Sequence, residues 1–228
     1  MGPQDPAASI AFADMKIERQ GRWLIARFAE PHLMLSWAVV RGGKTQTDTV
    51  AWCRVTKDEL RPPVDPKEFL KKCLAEASIP QAVGLLTSAD LDGYGQSEVT
   101  LDGLTVRALA TVGVYNSLRV GDLPRAVEPV GTLNLLCQIS HPLSEEAFLE
   151  ALSLAAEART AAVLESGIQS VASGKPATGT GTDCIVVAAP QKGEQLHYVG
   201  KHTTAGHLIG TSVLEAMRSG LHKNLSHG

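Results

Sequence analysis

The dipeptide Asp102-Gly103 lies between two strand-like runs, residues 98–101 and 104–114. An Asp-Gly pair in that position specifies a tight two-residue turn, because both of its central residues take positive φ. The chain is thereby committed to at least one antiparallel hairpin. Further strands are expected at residues 22–29 and 34–40, joined by a turn around Glu30-Pro31-His32, and at 50–55, 131–140, 183–189 and 197–199. Asp65-Pro66 opens a helix that runs to about residue 77, with the aspartate as N-cap and the proline in the first turn. Ser144 caps a long helix from residue 145 to about 166, whose first two residues, Glu145 and Glu146, complement the helix dipole. Phe148, Leu152, Ala155, Ala156 and Val163 recur there at helical spacing and mark a core-facing side. A last helix follows Thr203 or Thr204 and closes at Gly220.

Strands come first and a mixture of strands and helices follows. This order predicts an α+β fold, a mixed and largely antiparallel sheet with a few packed helices, rather than a doubly wound parallel sheet. No repeat or linker splits the chain. A single domain is expected over residues 16–220, with flexible termini at 1–15 and 221–228.

The 228 residues are 44% hydrophobic and 20% charged, the balance of an ordinary globular protein. A net charge of -3 argues against a nucleic-acid partner, which would require a concentrated basic surface. No apolar run approaches the about 20 residues that cross a bilayer. The first 15 residues lack the basic region and apolar core of a signal peptide, so no membrane partner and a cytoplasmic location are expected. Cys53, Cys73, Cys137 and Cys184 form no C-x-x-C pair, and three of them lie in apolar runs, the pattern of reduced core residues.

Chemistry concentrates in two places. In Ala177-Thr178-Gly179-Thr180-Gly181-Thr182-Asp183, hydroxyls alternate with glycines that admit close backbone approach, and the stretch ends on an acid. It precedes a strand and has no lysine after its last glycine, so it is not a phosphate loop. The second place is the segment from Gly200-Lys201-His202-Thr203 to Gly210, where a lysine and a histidine stand just before a helix N-terminus, a setting suited to an anionic or carbonyl oxygen. Gly206 and Gly210 are expected to let another backbone approach that helix. His197, His202 and His207 are spaced by five residues, which is not a helical metal pair, and no protein metal site is expected. No G-x-S-x-G elbow occurs. Asn116 and Asn134 are candidate ligands for substrate amides, against the commoner role of turn or cap asparagine. Glu157 shares a helical face with Glu146 and Glu150, which reads by default as a solvated face, and Asp90 reads as a turn cap.

Gly131-Thr132-Leu133-Asn134, Ala156-Glu157-Ala158-Arg159, residues 177–183 and Gly200-Lys201-His202-Thr203 together resemble the adenosylcobinamide amidohydrolase family, with weaker support from residues 84–90 and 110–116. The resemblance spans about residues 22–217. Arg159 stands where a lysine is expected and Tyr115 where a smaller residue is common. The resemblance implies hydrolysis of the amide joining a corrin-ring propionyl group to aminopropanol, with a corrinoid small molecule as partner. Cobalt would arrive inside the substrate, and the protein would need no cofactor of its own; a homo-oligomer stays open. The candidate catalytic set, a hypothesis from the residues themselves, is Asp183, His202, Lys201 and Thr182. Asp183 or His202 would activate water or the hydroxyl of Thr180 or Thr182, Lys201 would stabilise the oxyanion, and His202 would protonate the leaving amine. Thr178, Gly179, Thr180, Gly181, Asn134, Asn116, Glu157 and Thr203 would contact substrate. The alternatives are a corrinoid carrier or sensor without catalysis, and an amidohydrolase of the same fold acting on another amide.

Overall fold

Asp102 and Gly103 both have positive φ, 51° and 76°, and Leu101 pairs with Leu104 across them. The expected two-residue hairpin is therefore present. The computed structural model describes residues 15–124 and 131–225. Along the chain run β1 (Lys16–Gln20), β2 (Trp23–Ser36), β3 (Gly43–Arg54), a 3-10 turn (Lys57–Leu60), α1 (Pro66–Glu76), β4 (Val83–Thr87), β5 (Gly95–Leu101) and β6 (Leu104–Val112). They are followed by β7 (Ser117–Leu118), β8 (Leu133–Ile139), α2 (Glu145–Glu165), β9 (Gly179–Thr180), β10 (Cys184–Ala189) and α3 (Thr204–Leu225). One eight-stranded sheet has the order β4-β3-β2-β10-β8-β6-β5, with β1 added to β2. Among the described strands only β3 with β4 and β8 with β10 pair in parallel, so the fold is α+β with a mixed, mainly antiparallel sheet, in one domain.

The sheet doubles back on itself. β2 and β3 change register between Arg27 and His32, and such a shift lets strands turn a corner from one sheet half to the other. Three apolar cores then separate four layers. Phe148 and Ala155 of α2, with Leu208 and Val213 of α3, cover Val106, Leu135, Ile185 and Val187. The opposite face of the same strands, through Leu109, Leu136 and Val186, meets Leu24, Val50, Trp52 and Leu85 of the other half. α1 lays Leu70 and Leu74 on the outer side of that half, against Ile25, Ala51 and Cys53. The doubling brings β4 back to β8: Asn134 Nδ2 donates to the Leu86 carbonyl at 2.7 Å, across strands far apart in the sheet order.

Local signals at the helix ends behave as expected. Asp65 Oδ1 accepts from the N–H groups of Lys67 and Glu68 at 2.8 and 2.9 Å, and Ser144 Oγ accepts from Ala147 N at 3.2 Å. All four cysteines are free and buried, and burial pushes the thiols of Cys53, Cys137 and Cys184 up to about 12. Other expectations change. The two strands placed around Glu30-Pro31-His32 are one strand, β2, and Pro31 falls in the register shift, where its missing N–H removes no ladder bond. The second of those strands ends at Ser36 rather than residue 40, and β3 begins well before residue 50. Residues 197–199 do not form a strand, because Val199 N is taken by the Glu150 carboxylate at 2.7 Å. α3 continues through Gly220 to Leu225. Residues 1–14 and 226–228, part of the termini expected to be flexible, lie outside the described residues.

α3 continues because Gly220 meets β5 rather than ending the helix. A Cβ on Gly95 would land on the Ala216 carbonyl oxygen of α3 and lie 2.6 Å from Gly220 N, so the strand and the helix touch backbone to backbone. Gly206 serves in the same way, since a Cβ there would strike the Gly200 and Val199 carbonyls, whereas Gly210 faces open space. Gly95→Ala is therefore expected to lower stability by about 1–3 kcal/mol, as overpacking does. Gly210→Ala should instead raise it by about 0.5–1 kcal/mol through helix propensity. Urea unfolding midpoints of the two variants check the pair.

Candidate active site

The two residues of β9, Gly179 and Thr180, pair with Leu118 and Ser117 of β7, and this small ladder presents the loop that leads into β10. At the end of the loop the Asp183 side chain turns inward. Its Oδ1 accepts from Leu133 N at 3.1 Å and from the Thr180 hydroxyl. Its Oδ2 accepts from Thr180 N at 3.0 Å and pairs with Arg159 Nη1 of α2 at 3.1 Å. The two charged side chains are only 14% and 8% exposed for Arg159 and Asp183, so this is a buried ion pair. Burial pushes the Asp183 carboxyl above its ordinary value, while the Arg159 charge and the Thr180 and Leu133 donors pull the other way. Trp37 Nε1 donates to the Asp183 carbonyl at 2.6 Å and fastens the backbone.

The remaining polar groups of the loop are tied to its neighbours. Thr178 Oγ1 accepts from Val120 N at 2.8 Å. Thr182 is exposed and its hydroxyl donates to the Gly131 carbonyl at 3.2 Å, while Thr132 Oγ1 donates to the Thr182 carbonyl at 2.8 Å. Asn134 holds β4, as described above. Asn116 is buried at 5% exposure, and its Oδ1 has no hydrogen-bond partner. Gly131 is packed so closely against this amide that a Cβ would lie 2.6 Å from Asn116 Oδ1.

A cavity of about 750 Å³ is bordered by Arg54, Ser88, Asp90, Val112, Val114, Tyr115 and Lys223 among others; Val112 pairs with Leu133, but Thr180, Asp183 and Arg159 do not border it. Gly113, between the lining residues Val112 and Val114, donates its N–H to the Thr132 carbonyl at 3.0 Å, and a Cβ on it would lie 3.5 Å from Ala89 Cβ, a cavity-lining residue. The cavity is assembled from the ends of β3, β4, β6 and α3. No local motif announces it; residues 84–90 and 110–116 carry only the weaker part of the sequence signal. Asp90 does cap a turn, accepting from Asp92 N at 3.2 Å.

Lys201, His202, Thr203 and Glu157 gather elsewhere. Thr203 is the N-cap of α3: its hydroxyl accepts from Gly206 N at 3.0 Å and donates to the Gly200 carbonyl at 2.8 Å. Lys201 Nζ pairs with Glu157 Oε1 at 2.6 Å, both side chains being well exposed. Glu157 and Arg159 are two residues apart on α2, which places their side chains about 200° apart around the helix. Lys201 therefore meets the outer side of α2, whereas Asp183 meets Arg159 on the side that faces β10. The structure unites Asp183 with Thr178, Gly179, Thr180, Gly181, Thr182 and Asn134. It does not bring Lys201 or His202 to them. Among the described residues no group of three or more His, Cys, Asp or Glu side chains could hold a metal ion. None of the described helices is long and apolar enough to cross a membrane.

Thr180, Asp183 and Arg159 thus form a chain of hydroxyl, carboxylate and guanidinium, the order in which a nucleophile, its base and the group that orients the base are arranged. Gly179 permits it. A Cβ there would fall on Asp183 Oδ2, whereas one on Gly181 would lie an ordinary 3.4 Å from Leu118 Cδ1. Gly179→Ala is expected to cost about 1–3 kcal/mol by displacing the loop, and Gly181→Ala to stay within about 0.5 kcal/mol of the parent. Thermal unfolding of both variants measures the difference.

The sequence matches the family described as adenosylcobinamide amidohydrolase over residues 9–228. It is 28% identical over 169 residues to the adenosylcobinamide amidohydrolase of Methanosarcina mazei, covering 70% of this chain and 76% of that protein. It is 33% identical over 123 residues to the protein of the same name from Halobacterium salinarum, covering 51% of this chain and 50% of that one. The matches thus span about half to three quarters of these relatives' lengths. Among solved structures, the PH0078 protein of Pyrococcus horikoshii OT3 superposes with a TM-score of 0.44 at 12% identity, covering 94% of this chain and 83% of that one.

Proposed function

The chain belongs to the adenosylcobinamide amidohydrolase family, and from that premise we propose that it hydrolyses the amide between a corrin-ring propionyl group and aminopropanol in adenosylcobinamide. The products are adenosylcobyric acid and aminopropanol, which returns an incomplete corrinoid to cobamide synthesis. Cobalt enters as part of the substrate. The observation that carries the reading is the contact of the Thr180 hydroxyl with the buried Asp183 carboxylate.

Amide hydrolysis requires an activated nucleophile and a proton for the departing amine. Of the threonines in the loop, Thr180 is the one whose hydroxyl donates to Asp183. Asp183 takes the proton from Thr180 as the hydroxyl oxygen attacks the amide carbon, and returns it to the amine nitrogen as the C–N bond breaks. Water then releases the corrin carboxylate from Thr180. Burial suits Asp183 to this work, since a carboxyl raised above its usual value is a stronger base. The cavity receives the body of the corrinoid. Lys201 and His202, on the far side of α2, stay outside this arrangement.

Purified protein incubated with adenosylcobinamide is expected to yield a new carboxylate-bearing corrinoid on anion exchange. Asp183→Asn should lower turnover by about 10²–10⁴-fold, the usual cost of losing an acid–base group, and Thr180→Val should do the same, while His202→Ala stays within a few-fold of the parent. A shifted corrinoid absorbance without conversion would identify a carrier, and full turnover by Asp183→Asn would remove Asp183 from the mechanism.

A further inference from the structure

Arg159 takes no proton and makes no bond in the reaction proposed above, yet it is the charged group set against Asp183. Its Nη1 lies 3.1 Å from Asp183 Oδ2, and its Nη2 donates to Thr160 Oγ1 at 3.3 Å. The Thr160 hydroxyl in turn donates to the Thr178 carbonyl at 3.3 Å, so the guanidinium is braced against the same loop. Its Nε is buried without a hydrogen-bond partner. A guanidinium kept in place with one donor unsatisfied is stabilised chiefly by the carboxylate it faces. Gly179 leaves room for the contact, since a Cβ there would also lie 3.8 Å from Arg159 Cζ.

We infer that Arg159 is a positioning residue that keeps the Asp183 carboxylate charged and turned toward Thr180. The inference rests on the reading of Asp183 as the base. The groups that face Asp183 from each neighbouring element are few. α2 contributes Arg159, β9 the Thr180 hydroxyl and N–H, and β8 the Leu133 N–H, while the Cys184 thiol of β10 packs in the core on the other face of the strand. The β2–β3 connection contributes Trp37, which is bound to the Asp183 main chain. Among the described residues Arg159 is the only cation in this set, so its removal leaves burial opposed there by neutral donors. With the arginine gone the carboxyl holds its proton to higher pH, and the acidic limb of kcat/KM moves upward.

The test is kcat/KM against pH for the parent, Arg159→Lys and Arg159→Gln on adenosylcobinamide, with circular dichroism to confirm folding. For Arg159→Gln the acidic limb should rise by about 1–3 pH units, the range an arginine imposes on a neighbouring aspartate. KM should change little, activity should partly recover at high pH, and Arg159→Lys should fall between. Should Arg159→Gln not fold, the limb of Arg159→Lys and a ¹³C NMR titration of the Asp183 carboxyl in that variant carry the same readout. An unmoved limb in folded variants, with Asp183→Asn inactive, would overturn the role of Arg159 alone. Wild-type turnover by Asp183→Asn would overturn the reading of the base, and this inference with it.

Discussion

The buried pair of Asp183 and Arg159 is the interaction around which the rest of the site is arranged. A carboxylate removed from water loses several kcal/mol of hydration, and it stays charged only when a cation and well-placed donors replace that water. Each replacement comes from a different part of the fold: Arg159 from α2, Thr180 from the short β9, and Leu133 N from β8. The loop can close around the carboxylate because Gly179 has no side chain to obstruct it. The position of α2 over β10, the pairing of β7 with β9 and the parallel alignment of β8 with β10 all converge on one oxygen pair.

That convergence depends on the doubled sheet. The corner between Arg27 and His32 folds the β4 half over the β8 half, and Asn134 fastens the two by its bond to Leu86. The loops after β4 and β6 then meet the end of α3, and the cavity opens among them. A site for a large ligand thus arises where the ends of several elements coincide rather than within any one of them.

Features governed by neighbouring residues were legible in the sequence. Asp102-Gly103 specified its hairpin, and Asp65 and Ser144 capped their helices, because the bonds involved span only a few residues. Pro31 misled, since the same residue suits a turn and a register shift, and only the partner strand distinguishes them. The alternating threonines and glycines marked the loop, but spacing could not say which cation faced Asp183. The structure sets Arg159, 24 residues upstream by number, against it and puts Lys201 on the outer side of α2. The difference is a matter of which way two side chains on one helix project, and that depends on how the helix lies on the sheet. The cavity escaped for a similar reason, as its lining comes from segments far apart in the chain.

The central claim, that the amide is cleaved at Thr180 and Asp183, is tested most directly by a structure of the Asp183→Asn protein with adenosylcobinamide bound. The account predicts the carbonyl carbon of the aminopropanol amide about 3–3.5 Å from Thr180 Oγ1, the separation of a near-attack geometry, with the corrin ring in the cavity lined by Arg54, Asp90 and Tyr115. A substrate amide seated instead beside Lys201 and His202, on the outer side of α2, would contradict it.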